Sequence, residues 1–340
     1  MLKFNGMKWS GKVKTTLWFI AAIAGFFFTL FMAISYGAKE LTLGTVWSAV
    51  FNYDSTLTYH QIVYELRLPR VLGAAVTGMA FAVAGAILQA VTRNPLADSG
   101  ILGVNAGSAF VVVLSFSFLP GLSYSGLMVM SFIGAALTTF FIVILGSSTQ
   151  GGLTSLRLTI AGAVVAAILH SLSTGIAIYF DLSQDLAFWY AGGVAGVNWD
   201  HLKLLTPIVL ITIGWSITMG RSFTFLSLGD ESATSLGIHV QRVRLLGLTA
   251  AVILAGSSVA VAGSIGFIGL VVPHIARRLV GVGYRVVIPF SALLGAILLM
   301  WADFASRMVN PPREFAIGAM VALVGVPFFL YLARKERRDL

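Results

Sequence analysis

The chain has 340 residues, 58% of them apolar and 10% charged, with a net charge of +9 and no cysteine. Soluble domains carry about 25% charged and 45–50% apolar residues, so a water-soluble globule is excluded and a polytopic membrane protein is the class that fits. Without cysteine there are no disulfides or thiolate metal sites, and the five histidines have no ligand-like spacing, so no metal site is expected.

Ten apolar runs approach the roughly 20 residues that cross about 30 Å of hydrocarbon. They lie near 15–37, 71–91, 101–119, 126–146, 158–180, 204–220, 245–262, 265–279, 286–306 and 315–332. No small-residue cleavage site follows the first, which reads as a retained anchor. The eighth is short and contains Pro273. No stretch resembles a soluble domain, so the expectation is one all-α transmembrane domain over 1–340. Ten spans can divide into two five-helix halves of inverted orientation.

With both termini in the cytoplasm, only Lys39, Arg67, Arg70, Lys203, Arg307 and Arg313 of the 22 Lys and Arg fall outside. This positive-inside bias sets the predicted topology: a cytoplasmic N-terminal segment 1–14, a cytoplasmic loop 221–244 and a cytoplasmic tail 333–340. The net charge is then a topogenic signal and implies no nucleic acid. Among the 36 glycines, Gly73, Gly78 and Gly85 in the second span suit close helix contact.

Two intervals between spans stand out. Phe188-Trp189-Tyr190-Ala191-Gly192-Gly193 and Asn198-Trp199 mix aromatics with glycines, at a place where an interfacial aromatic belt is ordinary. Arg221 to Arg244 is a polar island in an apolar chain. Gly229-Asp230-Glu231 puts acids in the first turn of a short helix, Gly237 sits where that helix would stop, and a second helix can start near His239. Composition alone leaves two readings of the island open, a solvated loop and a docking surface for a soluble protein.

His170 is the one titratable side chain, tyrosine aside, well inside a predicted span. A buried histidine is more often a hydrogen-bonded structural group than a proton relay, so ion coupling is disfavoured. Gly11-Lys12 is followed by Val13, and no G-x-x-x-x-G-K-[ST] phosphate loop occurs. The chain is therefore read as no enzyme, and energy for uphill transport must come from another subunit.

Leu66-Arg67-Leu68-Pro69-Arg70, Gly85 to Gln89, Arg93-Asn94-Pro95-Leu96-Ala97 and Leu102-Gly103 closely resemble the FecCD-type (BtuC-like) permeases of ABC importers for iron-siderophores, haem and cobalamin. So do Gly263 to His274, Ala302-Asp303 with Arg307, and Gly325-Val326-Pro327-Phe328-Phe329. The resemblance runs from about Leu41 to Ala333. It implies a ten-helix type II importer subunit in a bacterial cytoplasmic membrane. Its expected partners are a second permease copy or a homologous permease, two ATP-binding cassette subunits that hold ATP and Mg, and an extracytoplasmic substrate-binding protein. The expected substrate is an iron(III)-siderophore, with haem or cobalamin as alternatives, and an ion-coupled secondary carrier as the rival from another class. No cofactor is expected in this chain.

The resemblance also assigns residues. Arg67, Arg70 and Arg307 are expected to be external arginines that pair with carboxylates of the docked binding protein. Leu228, Gly229, Asp230, Glu231, Ala233, Leu236 and Gly237 are expected to couple to the ATPase. Trp189, Gly192, Gly193 and Trp199 are expected at an external gate.

Overall fold

The computed structural model describes residues 11–37, 41–147, 154–311 and 313–336. Residues 1–10 of the predicted N-terminal segment, Lys39 and residues 337–340 of the predicted tail lie outside the described residues.

A helix stands at each of the ten predicted spans. The chain opens with α1 (Gly11–Ser35), then two short helices that the sequence reading had left as an interval, α2 (Leu43–Phe51) and α3 (Thr58–Gln61). A π-helical segment, Ile62–Arg67, carries α3 into α4 (Leu68–Thr92), with Pro69 in the first turn of α4, where its missing N–H costs nothing. Next come α5 (Val104–Phe118), α6 (Tyr124–Ser147), α7 (Ser155–Tyr179), the short α8 (Ser183–Ala191) and α9 (Trp199–Thr218). The polar island forms α10 (Gly220–Ser227) and α11 (Asp230–Ser235). Finally α12 (Val240–Ala262), α13 (Ile268–Val280), α14 (Tyr284–Met308) and α15 (Ile317–Glu336) complete the bundle.

Seven of the described helices are long and apolar enough to cross a membrane, and two shorter apolar ones, within α5 and α15, join them. The eighth predicted span is α13, only 13 residues long with Arg277 and Arg278 in its last turn. It begins three residues later than expected, because Gly263 and Phe267 both take positive φ and the backbone between them is irregular.

The centre of the bundle is α4, which packs on α14, α12, α13 and α9. Its apolar window is 89% buried, whereas those of α1 and α7 are 22% buried and face outward. Small residues allow this. A Cβ on Gly78 would lie 2.3 Å from the Gly295 carbonyl oxygen of α14, and one on Gly85 would lie 2.0 Å from the Gly269 oxygen of α13. Backbone-to-backbone approach of this kind is how helices associate where water provides little driving force between apolar faces. The expected close-contact role of these glycines is what the structure shows.

Candidate functional site

At the Arg70 end of α4, five charged side chains converge. Arg70 Nε donates to Asp303 Oδ1 at 2.8 Å, while Nη1 and Nη2 donate to the two Glu314 oxygens at 2.8 and 2.9 Å. Arg307 Nη2 lies 3.0 Å from Asp303 Oδ2, an ion-pair distance without hydrogen-bond alignment, and a second contact reaches the Ala33 carbonyl at 3.4 Å. Arg67 Nη1 donates to the carbonyls of Ile34 and Ser35, both at 3.4 Å. The end of α1 leaves these carbonyls without intrahelical partners, and a buried guanidinium needs such acceptors.

The three arginines expected to meet a partner's carboxylates thus all have partners within the chain. Arg67 is 6% exposed and Arg307 5%, and each of the three guanidinium nitrogens of Arg70 donates to a carboxylate of the same chain. Burial follows from α4 and α14 running side by side with their charged ends level. Glu314 was missed, since nothing local in the sequence places the α14–α15 connection over the start of α4. It lies outside the spans, and hydrogen bonds from Arg70 hold its carboxyl below the usual range, against the upward push of partial burial.

The predicted gate residues divide. Trp189, Gly192 and Gly193 line a cavity of about 410 Å³ together with Tyr124, Phe188 and Gly263. The loop after α8 is held to the α12–α13 corner, Gly193 N–H donating to Ala262 O at 2.8 Å. Glycine is required at this junction: Gly192 and Gly263 have φ of +65° and +67°, and a Cβ on Gly263 would meet the Trp189 carbonyl at 2.5 Å. Gly318 of α15 approaches Ala191 with similar closeness, so α8, α12 and α15 meet here. Trp199 stands elsewhere. It opens α9 behind an Asn198–His201 capping box, donates its indole N–H to the Tyr64 carbonyl at 3.0 Å and tilts onto the Tyr64 ring.

At the opposite end of α4 lies the island. Gly237 has φ +80°, with Ile238 N–H bonded to Ala233 O and Gly237 N–H to Thr234 O, a Schellman stop for α11 where the sequence predicted one. A helix, α12, starts after His239 as expected, with no side-chain capping bond from the histidine, whereas α10 was not foreseen. Leu228 (63%), Leu236 (56%) and Glu231 are exposed. Ala233 is fully buried, so it seats α11 and offers no contact to a partner. Asp230 is tied to Arg244 at 3.0 Å and to Arg93 at 3.6 Å, and Gly229 has φ +119°. Arg93 itself takes a left-handed cap at the end of α4, followed by an Asn94 side chain that accepts the Leu96 N–H.

A polar tie inside the bundle links the Gly85 to Gln89 segment to α13. Gln89 Nε2 donates to the Gly269 carbonyl at 3.0 Å, and its Oε1 accepts from Arg277 at 2.6 Å. Arg277, in the last turn of α13, therefore completes the bonding of a buried amide. Among the described residues, no group of three His, Cys, Asp or Glu could hold a metal ion.

The arrangement places a largely buried cluster of arginines and carboxylates at one end of α4 and the polar island at the other. The FecCD transport family matches residues 25–335. The chain is 51% identical over 310 residues to the iron(3+)-hydroxamate import system permease protein FhuB of Bacillus subtilis (strain 168), covering 91% of this chain and 81% of that one. It is 42% identical over 308 residues to the iron-uptake system permease protein FeuB of the same organism, covering 91% and 92%. A solved structure described as the inward-facing conformation of a metal-chelate type ABC transporter superposes with a TM-score of 0.82 at 27% identity, over 94% of this chain and 99% of that one. The ten helices in order, the glycine-packed centre and the matched length agree: this chain is an integral membrane protein that belongs to the FecCD transport family.

Proposed function

We propose that the chain is the permease subunit of an ABC importer that carries an iron(III)-siderophore across the bacterial cytoplasmic membrane, with a hydroxamate chelate as its substrate. The observation that carries this reading is the 51% identity, over 91% of the chain, to an iron(3+)-hydroxamate permease. A second permease copy or a homologue completes the pathway, two ATPase subunits bind ATP and Mg beneath it, and a binding protein delivers the chelate from the other side. Both termini and the island lie in the cytoplasm, as the charge distribution favours.

In this reading α10 and α11 carry the ATPase stroke into the bundle. Exposed Leu228, Glu231 and Leu236 make the contact, Asp230 anchors α11 to Arg244 and Arg93, and Gly229 and Gly237 supply the backbone turns on either side. At the other face Arg70 is the arginine best placed to meet a carboxylate of the binding protein, with Arg67 and Arg307 behind it holding the charged end in position. Trp189, Gly192 and Gly193 form the gate, and Trp199 braces α9 beside it.

Uptake by proteoliposomes that contain the whole complex tests the proposal, using ferric hydroxamate, ferric catecholate, haem and corrinoid in parallel. Ferric hydroxamate uptake is expected to need ATP on the cytoplasmic side and to persist with an uncoupler. Uptake that collapses with the proton gradient while ATP is abundant would return the secondary carrier.

A further inference from the structure

We propose that His170 and Tyr190 form a polar station on the translocation path, and that the α7–α8 edge around them accepts uncharged or cationic ferric chelates over polyanionic ones. This deepens the permease reading and rests on it.

The starting point is an anomaly in α7. His170 lies 15 residues into a helix that is apolar around it, about 22 Å along its axis, and it is exposed on the protomer. Its Nδ1 is 3.0 Å from the Tyr190 hydroxyl of α8, with the rings tilted at 5.3 Å. An imidazole turned toward hydrocarbon would be costly, so the exposed His170, bonded to half-buried Tyr190, belongs where water or a polar ligand reaches it.

At about 100° per residue, His170, Ala163, Thr174 and Ala167 fall within roughly 60° of one another on the helix, with Ser171 next to them. All five are small or polar, and exposed Leu156, Ile160 and Ile178 share this arc of the helix. Bulky Val164 (53%), Ile168 (54%) and Leu172 (49%) occupy the other side of the exposed arc. The His170–Tyr190 contact puts the pair at the α7–α8 edge, where Phe188 and Trp189, next to Tyr190 on α8, line the cavity of the candidate gate.

Charge then selects the ligand. From Leu158 to Tyr179, through α8 and from Ile317 to Leu330, the sequence contains no Lys or Arg. Exposed Asp181 and Asp185 flank the outer end of this edge, and neither is in an ion pair among the described residues. Iron(III) bound by three hydroxamate monoanions is uncharged and shows acceptor oxygens that neutral O–H and N–H donors can meet. Three catecholate dianions leave the complex with a threefold negative charge, which finds no counter-charge here and two carboxylates nearby.

The chain has no cysteine, so single-cysteine variants need no background removal. Thr174→Cys, Ser171→Cys and Leu172→Cys would be placed in the complete complex in nanodiscs, and their labelling by a membrane-impermeant thiol reagent measured alongside ATPase turnover. Labelling of Thr174→Cys and Ser171→Cys, with Leu172→Cys silent, is expected. A ferric trihydroxamate should slow labelling at Thr174→Cys, and a ferric tris-catecholate of similar size should not. Adding His170→Ala or Tyr190→Phe should weaken that protection by about fivefold, the worth of one net hydrogen bond. Silent cysteines at 171 and 174, or equal protection by both chelates, would overturn the inference. ATP-driven uptake by the same preparation would show that the permease reading survives such a result.

Discussion

Arg70 and Glu314 form a bidentate ion pair, two N–H···O bonds of 2.8 and 2.9 Å that join the start of α4 to the segment leading into α15. The Nε–H of the same guanidinium goes to Asp303. Any carboxylate arriving from outside must therefore compete with Glu314, whose side chain is 41% exposed, and leave the nearly inaccessible Asp303 in place.

Glu314→Gln is accordingly expected to preserve assembly and to tighten binding-protein docking by up to about fivefold, the scale of a half-exposed pair. Titration of the binding protein onto the complex in nanodiscs measures this, and the gain should shrink at high salt. Reversing Arg67 and Arg70 to Glu is a poorer test, because it would bury acids among the Ile34 and Ser35 carbonyls and beside Asp303. Loss of assembly is expected there before any loss of docking.

The pH dependence has a defined sign. Glu314 has a folded-state pKa below its ordinary value, so the tie to Arg70 is fully present above about pH 4.3 and is lost as pH falls through the lower, folded value. Thermal stability in detergent should fall on acidification through that window. In Glu314→Gln this part of the profile should be flatter.

Asp303 is buried and faces both Arg70 and Arg307. Among the described residues, Asp303 is the one carboxylate that pairs with both, so Asp303→Asn leaves buried charge uncompensated at a cost of about 3–5 kcal/mol. A large drop in the melting temperature of the purified permease is expected. A shift of a degree or less would mean that water or Glu314 can take over the role.

Ser232 and Ser235 are exposed on α11. Single cysteines there are expected to crosslink to the ATPase subunit and to resist labelling from outside intact cells. Ala233→Cys on the same helix is expected to remain unreactive, since Ala233 is fully buried.

Gly85→Ala places a methyl group 2.0 Å from the Gly269 carbonyl, so α4 and α13 must separate. Overpacking of this kind costs about 1–3 kcal/mol. Reduced stability with a weakened Gln89–Gly269 tie is expected, readable as faster amide exchange in α13.

The sequence alone determined the class, the ten helices and their order, because hydrocarbon thickness and hydrophobic run length are both one-dimensional quantities. The Gly237 stop and the start of α11 were legible for a related reason: capping is decided by neighbours within a few residues. Family motifs located the island and the arginines as well. What those arginines touch was decided only in three dimensions. Arg70 and Glu314 are far apart in the chain, and their pairing depends on α4 and α14 standing level, which depends in turn on backbone contact at Gly78 and Gly295. The same holds for Trp199, separated from the other gate aromatics by the turn into α9, and for His170, whose exposure and Tyr190 partner follow from where α8 folds back. Local periodicity specifies what a helix is; long-range packing specifies which side chains it brings together.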